Sequence, residues 1–209
     1  STYPFPVLYK TVPDVTLQRL IEEGDLSLTQ AVIRTAKDLE KAGVRAISSD
    51  CGYMIHFQRQ VASEVNVPVI MSSLIQLPML ERTTGPKRKI GVICANSKKL
   101  TPDLLEAAGV KDTSGIVIRG MEGQPFFRAP ILDEKPELVY EEIEREIVAV
   151  ASEMVKASPE IGPILLECSN MPPYAHAVQK ATGRIIFDFV TMINSFYNAS
   201  FRKPFEGIY

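Results

Sequence analysis

The chain has 209 residues, of which 45% are hydrophobic and 23% charged, with a formal net charge of −2. It is long enough to bury a core, as one large domain or two smaller lobes, and it carries no basic footprint, which argues against nucleic acid as a partner. No apolar run is long enough to span a bilayer, so no membrane association is expected.

In chain order, residues 6–12 read as a strand entered through prolines, and 15–23 as a short helical piece that stops at Gly24. Residues 25–43 form the first clear helix. Ser27 or Thr29 can cap it, Ala31, Val32, Thr35, Ala36 and Leu39 make its apolar stripe, and Gly43 stops it. A strand follows at 44–48, a helix at 54–65, a strand at 68–71 and a helix at 72–82. The polar, basic run Thr83-Thr84-Gly85-Pro86-Lys87-Arg88-Lys89 then marks a boundary between lobes. Beyond it come a strand at 90–94, a helix at 98–108 capped from Ala95-Asn96-Ser97, and a strand at 114–118. Residues 120–133, with two glycines and two prolines, read as a loop or lid. The longest helix spans 136–157. A strand leads to Cys168, a helix at 171–182 ends at Gly183, a short strand lies at 185–187, and a final helix at 188–201 starts from Asp188. Strands alternating with helices imply parallel sheets covered on both faces. The expected fold is therefore α/β, in two lobes with the site in the cleft between them. The first lobe takes residues 1–84 and 188–209, the second 85–187.

The stretch Ile164-Leu165-Leu166-Glu167-Cys168-Ser169-Asn170-Met171-Pro172-Pro173-Tyr174 places a thiol where a buried strand turns polar. Ser169 and Asn170 are good N-cap residues, and Pro172 and Pro173 suit a first helical turn. Cys168 should thus sit at a strand tip beneath a helix start, where α/β proteins bind ligands. Asp50-Cys51-Gly52-Tyr53-Met54 repeats Glu167-Cys168-Ser169-Asn170-Met171 place for place in type, so each half of the chain offers one thiol to a shared cleft. A helix N-terminus lowers a thiol pKa and its free N–H groups bind a carboxylate. One thiol on each face of a substrate suits removal of a proton from carbon on one side and its return on the other, with the developing charge stabilised by amides. No metal-ligand spacing and no glycine-rich phosphate loop is present, so neither metal nor nucleotide is expected. No cofactor is needed in principle.

These two motifs resemble the aspartate/glutamate racemase superfamily, the cofactor-independent two-cysteine racemases, and the likeness covers nearly the whole chain. It implies an isomerase in which Cys51 and Cys168 are opposed acid/base catalysts acting at a carbon α to a carboxylate. Asn96 and Ser72 fall where the family places substrate-binding polar residues. Gly52, Tyr53, Ser169 and Asn170 complete the expected substrate contacts, with a small-molecule carboxylate as partner and a homodimer as the common assembly. Other reactions on the same fold are a maleate-isomerase-like or arylmalonate-decarboxylase-like conversion, or ligand binding without chemistry. The acidic amino-acid racemases tend to show Cys-Asn-Thr at the first site and Cys-Thr at the second. Cys51-Gly52-Tyr53 and Cys168-Ser169-Asn170 depart from that and point away from aspartate or glutamate as the substrate. The family also opens with a strand and polar loop, so an N-terminal segment contributing to the site is expected to precede Ser1.

Other residues have plainer readings. Cys94 lies inside an apolar strand and reads as core. Asp50 and Glu167 read as caps or backbone braces, or else as groups that tune the thiols or bind a cationic substrate group, since a carboxylate beside a thiol raises its pKa. His56 and His176 read as solvated helix residues, and Tyr53 and Tyr174 as packing or cleft walls. Three cysteines, together with a start that lacks the charged and apolar regions of a signal peptide, imply reduced thiols in the cytoplasm.

Overall fold

The computed structural model describes residues 2–207. Among them, parallel strands form two sheets flanked by helices. In the first, β1 (Ile47–Ser48) pairs with β2 (Val69–Ile70), Ile47 opposite Val69. The second contains β3 (Lys89–Cys94), β4 (Ile116–Gly120), β5 (Ile161–Leu166) and β6 (Ile186–Phe187) in the order β4-β3-β5-β6. The helices are α1 (Thr29–Lys41), α2 (Gln58–Ala62), α3 (Leu77–Thr83), α4 (Pro102–Ala107), α5 (Pro125–Ile131), α6 (Tyr140–Ala157), α7 (Ala175–Thr182) and α8 (Phe189–Ser200). The chain returns to the first sheet at its end, where Phe189 and Met192 of α8 bury against Ile70.

The central strands β3 and β5 are apolar along most of their length because both faces are covered; Val92, Ile93, Leu165 and Leu166 are fully buried. Pro163 lies inside β5, where a missing N–H would break a regular ladder. A bulge resolves it: the register with β3 shifts between Lys89 and Gly91. At Gly91 α6 comes close: a Cβ there would lie 2.6 Å from the Met154 Cε, and that side-chain end would have to shift. Asp188 caps α8 through a capping box, accepting the Thr191 N–H at 2.7 Å while its own N–H donates to the Thr191 hydroxyl at 2.9 Å.

Several expected elements differ. Residues 6–12 form no strand; they run unpaired along the first lobe and line a cavity there. Pro4, Pro6 and Pro13 bring no N–H to a ladder. The strand expected at 44–48 shrinks to two residues, since β2 is its single neighbour. The helix expected at 98–108 starts only at Pro102, because the Asn96 side chain accepts the Lys98 N–H at 3.1 Å and holds a turn instead. The expected loop at 120–133 contains α5. Its opening N–H groups, those of Phe126 and Phe127, donate to the Glu146 carboxylate of α6 at 3.0 and 2.7 Å, a cap supplied from another element. The helices after the two cysteines open as tight 3-10 turns, Gly52–Phe57 and Pro172–Tyr174.

Candidate active site

Both cysteine motifs leave their strands through the same turn. The Met54 N–H donates to the Cys51 carbonyl at 3.0 Å, and the Met171 N–H to the Cys168 carbonyl at 3.0 Å. Serines tie these turns to the scaffold and to each other. Ser48 donates to the Ile70 carbonyl at 2.9 Å, and Ser49 donates to the carbonyls of Met71 and Cys51. Ser73 reaches across the lobes to the carbonyls of Leu166 and Glu167 at 3.1 and 3.0 Å. The Ser169 hydroxyl donates to the Asp50 carbonyl, so the second motif is fastened directly to the first. That bond brings the two thiols into one neighbourhood, and Cys168 is among the groups that raise the Cys51 pKa.

A cavity of about 1430 Å³ opens beside Cys51; Cys168 is not among the residues that line it. Ser49, Asp50, Cys51, Ser169 and Asn170 form part of its wall, and so do Phe5, Tyr197 and Phe201. Phe5 stacks on Tyr197 with ring centroids 3.8 Å apart, and Phe201 lies tilted to Tyr197 at 5.0 Å. Cys51 is half-buried on this wall, while Cys168 is buried and receives the Asn170 side-chain amide at 3.7 Å.

The remaining residues expected at the site sit behind that wall. Tyr53 is fully buried; its hydroxyl donates to the Asn96 carbonyl at 2.7 Å and accepts the Asn96 N–H at 3.0 Å. The Asn96 side chain turns to Lys98 and to Glu22. Ser72 is buried and its hydroxyl accepts the Leu74 N–H at 3.2 Å. Gly52 faces Glu167: a Cβ on it would lie 1.7 Å from Glu167 Oε1 and 2.7 Å from the Glu167 carbonyl oxygen. Only a residue without a side chain admits that carboxyl. Nothing in the sequence marks Ser49 and Ser73 for these roles, because their bonds to Met71, Leu166 and Glu167 reach backbone far along the chain.

Glu167 is the unusual group. Its side chain is buried, Oε2 accepts the Ala95 N–H at 3.1 Å, and Oε1 has no hydrogen-bond partner. Burial pushes its pKa up to about 7 against the pull of the Ala95 N–H. The thiols respond to this surrounding. Burial, then the Glu167 charge, push Cys168 up to about 12, opposed by the Asn170 N–H and amide. Burial, Glu167, Cys168 and Asp50 push Cys51 well up, opposed by the Tyr53 N–H. The expectation that the helix starts lower the thiol pKa values is thus reversed. The turns supply one or two donors, whereas burial and two carboxylates act in the opposite sense. Burial and the neighbouring carboxylates thus favour the thiol form of both cysteines. Among the described residues no group of three or more His, Cys, Asp or Glu side chains is arranged to hold a metal ion.

The comparisons with known proteins decide the family. Dimethylsulfoniopropionate lyase of Durusdinium sp. clade D is 31% identical over 215 residues, covering 100% of this chain and 70% of the relative. The chain belongs to the dimethylsulfoniopropionate lyase family. Dimethylsulfoniopropionate lyase 7 of Emiliania huxleyi is 32% identical over 218 residues, and there the chain spans 63% of the relative's length. No family model matches. Among solved structures, an Asp/Glu racemase-like protein from Yersinia pestis superposes with a TM-score of 0.60 at 14% identity, over 88% of this chain and 78% of that one. An aspartate racemase homologue from Pyrococcus horikoshii gives 0.58 at 19% identity, over 89% and 80%. Arylmalonate decarboxylase gives 0.57 at 16%, over 88% and 79%. The fold is that of the aspartate/glutamate racemases, as the two motifs implied. The racemase activity is overturned: the relatives that match along the whole chain are lyases, not isomerases. The chain is a member of an enzyme family with a racemase fold and a different reaction.

Proposed function

We propose that this protein cleaves dimethylsulfoniopropionate, a zwitterion with a carboxylate at one end and a dimethylsulfonium on the β-carbon, into acrylate and dimethyl sulfide. A thiolate takes a proton from the carbon α to the carboxylate. The C–H electrons form the carbon–carbon double bond, and the β-carbon–sulfur bond breaks with its electrons leaving on dimethyl sulfide. The thiol's own proton passes to water as the substrate binds, and the α-proton then restores the resting thiol. The relatives support the substrate. The structural observation that supports the chemistry is the setting of the thiols: Glu167, packed against Gly52, and Asp50 both disfavour a negative charge on them.

Such surroundings favour a cationic group beside the thiols. A positive charge about 4 Å from a thiolate, at an effective dielectric of about 20, stabilises it by about 4 kcal/mol, or about three pKa units. Cys168 stands about that far above its ordinary value of 9.0. The sulfonium therefore supplies the charge that the protein withholds, and ionisation is coupled to the arrival of the right substrate.

Cys168 is the base, because two donors of Asn170 stabilise its thiolate. Cys51 stays a thiol, since a second negative charge beside Glu167 and the Cys168 thiolate is opposed, and it can donate a hydrogen bond to the substrate as charge develops. Ser169 and Asn170 on the cavity wall carry the substrate-binding role, with Gly52, Tyr53, Ser72 and Asn96 as the shell behind them. Elimination needs one base, so no proton has to be returned from the opposite face.

Incubation of the purified protein with dimethylsulfoniopropionate should release dimethyl sulfide into the headspace with an equal amount of acrylate. L-Aspartate and L-glutamate should keep their optical rotation. Absence of dimethyl sulfide at high protein concentration would refute the reading.

A further inference from the structure

We propose that Glu167 is a positioning residue of the thiol pair: its buried carboxylate, admitted by Gly52, holds Cys51 and Cys168 in their protonated forms while the cleft is empty. The inference rests on the reading that the thiols do the proton work, and it adds the group that governs when they can.

The geometry is specific to this carboxyl. Glu167 directly precedes Cys168 in sequence, and its side chain lies against Gly52, which directly follows Cys51. It therefore bridges the two motifs from behind the cleft. Its backbone is fixed on both sides, the N–H donating to the Ile93 carbonyl at 2.8 Å and the carbonyl accepting from Ser73 at 3.0 Å. One carboxylate oxygen takes the Ala95 N–H, and the other is sealed from solvent with no donor. A carboxyl placed only as a brace would use both oxygens, as Glu122 does with the N–H and hydroxyl of Ser97. The titratable groups that feel Glu167 are Cys51, Cys168, Cys94 and Tyr53, and Asp50 adds to its effect on Cys51 and Cys168. No cation stands among the groups that shift Glu167 itself. Its charge is therefore felt at short range in a dry interior, where a like charge disfavours a thiolate strongly.

Added to burial, the carboxylate disfavours a thiolate at either cysteine, and a cationic substrate acts in the opposite sense. A neutral amide at position 167 would keep the bond to Ala95 and the fit against Gly52 while removing the charge.

The test is the pH dependence of thiol alkylation by iodoacetamide, read site by site by mass spectrometry in the full chain, for wild type and Glu167→Gln. It needs no substrate, so its outcome is separate from that of the lyase assay. Alkylation of Cys51 and Cys168 in Glu167→Gln should shift to lower pH by about one unit or more, about a tenfold faster reaction at fixed pH below the thiol pKa. Glu167→Asp, which keeps a charge, should shift by less than Glu167→Gln. A Gln variant that is folded by near-ultraviolet circular dichroism and alkylates with the wild-type pH profile overturns the proposal. Should Glu167→Gln fail to fold, Glu167→Met, a neutral side chain of similar length, is read in the same assay. A shift of both thiols to lower pH supports the proposal, and a folded Met variant with the wild-type profile overturns it.

Discussion

Cys168→Ala is expected to lower kcat/KM for dimethylsulfoniopropionate by about 10³–10⁴, the loss of a positioned base. Cys51→Ala is expected to lose less, about 10-fold to 100-fold, the scale of one hydrogen-bond donor to the developing charge. The order follows from the donors each sulfur receives. Cys168 has the N–H and side-chain amide of Asn170, while Cys51 has the N–H of Tyr53. A two-base racemase would lose its turnover equally with either thiol. Steady-state rates of dimethyl sulfide release from the two single variants separate these cases. Equal and complete loss in both would remove the assignment of Cys168 as the one base, and a larger loss at Cys51 would exchange the two roles.

The second large effect is on stability. The Glu167 carboxyl has a pKa of about 7 in the folded protein against an ordinary value of 4.5. Between these values the native state holds a proton that the unfolded chain has lost. Stability therefore falls as pH rises from 4.5 through about 7, and then levels off. The full difference is about 3 kcal/mol for a group this buried. Glu167→Gln has no such proton to lose. Its stability relative to wild type should improve by about 3 kcal/mol between pH 4.5 and pH 8, measured by urea unfolding at each pH. Parallel pH curves for the two proteins would mean that Glu167 is not the buried acid described above. Together with the alkylation profile, this makes Glu167 a residue that costs folding stability at neutral pH and remains at the centre of the site, a pattern found where function sets the residue.

Much of this architecture was legible from local signals. The strand-to-helix turns at Cys51 and Cys168 show in the switch from Ile164-Leu165-Leu166 to Ser169-Asn170, and in the matching order of types around Cys51. Gly43 and Gly183, which mark helix ends, adopt the left-handed backbone that such stops require, with φ of 85° and 64°. What stayed hidden acts through space. Gly52 reads as a turn residue, yet it is there because Glu167 from the other half of the chain fills its side-chain position. The cap of α5 comes from Glu146, so residues 120–133 look like a loop. The direction of the thiol shifts follows first from burial and then from two carboxylates, neither of which a strand pattern gives. Both motifs together are enough to indicate the racemase fold and a thiol pair. They carry no mark of a leaving group on the β-carbon, which is what separates elimination from racemisation. That difference lies in the substrate, and the nearest sign of it in the chain is the pair of acids, Asp50 and Glu167, placed one residue before each cysteine.

The central claim is that a thiolate takes the proton α to the carboxylate while the sulfonium leaves. It is tested most directly with dimethylsulfoniopropionate deuterated at the α-carbon. The account predicts acrylate carrying one α-deuterium and release of dimethyl sulfide slowed by a primary isotope effect on kcat/KM. Release of dimethyl sulfide with both deuterons still on the three-carbon product would contradict it, since the sulfur would then have been displaced without any α-proton being removed.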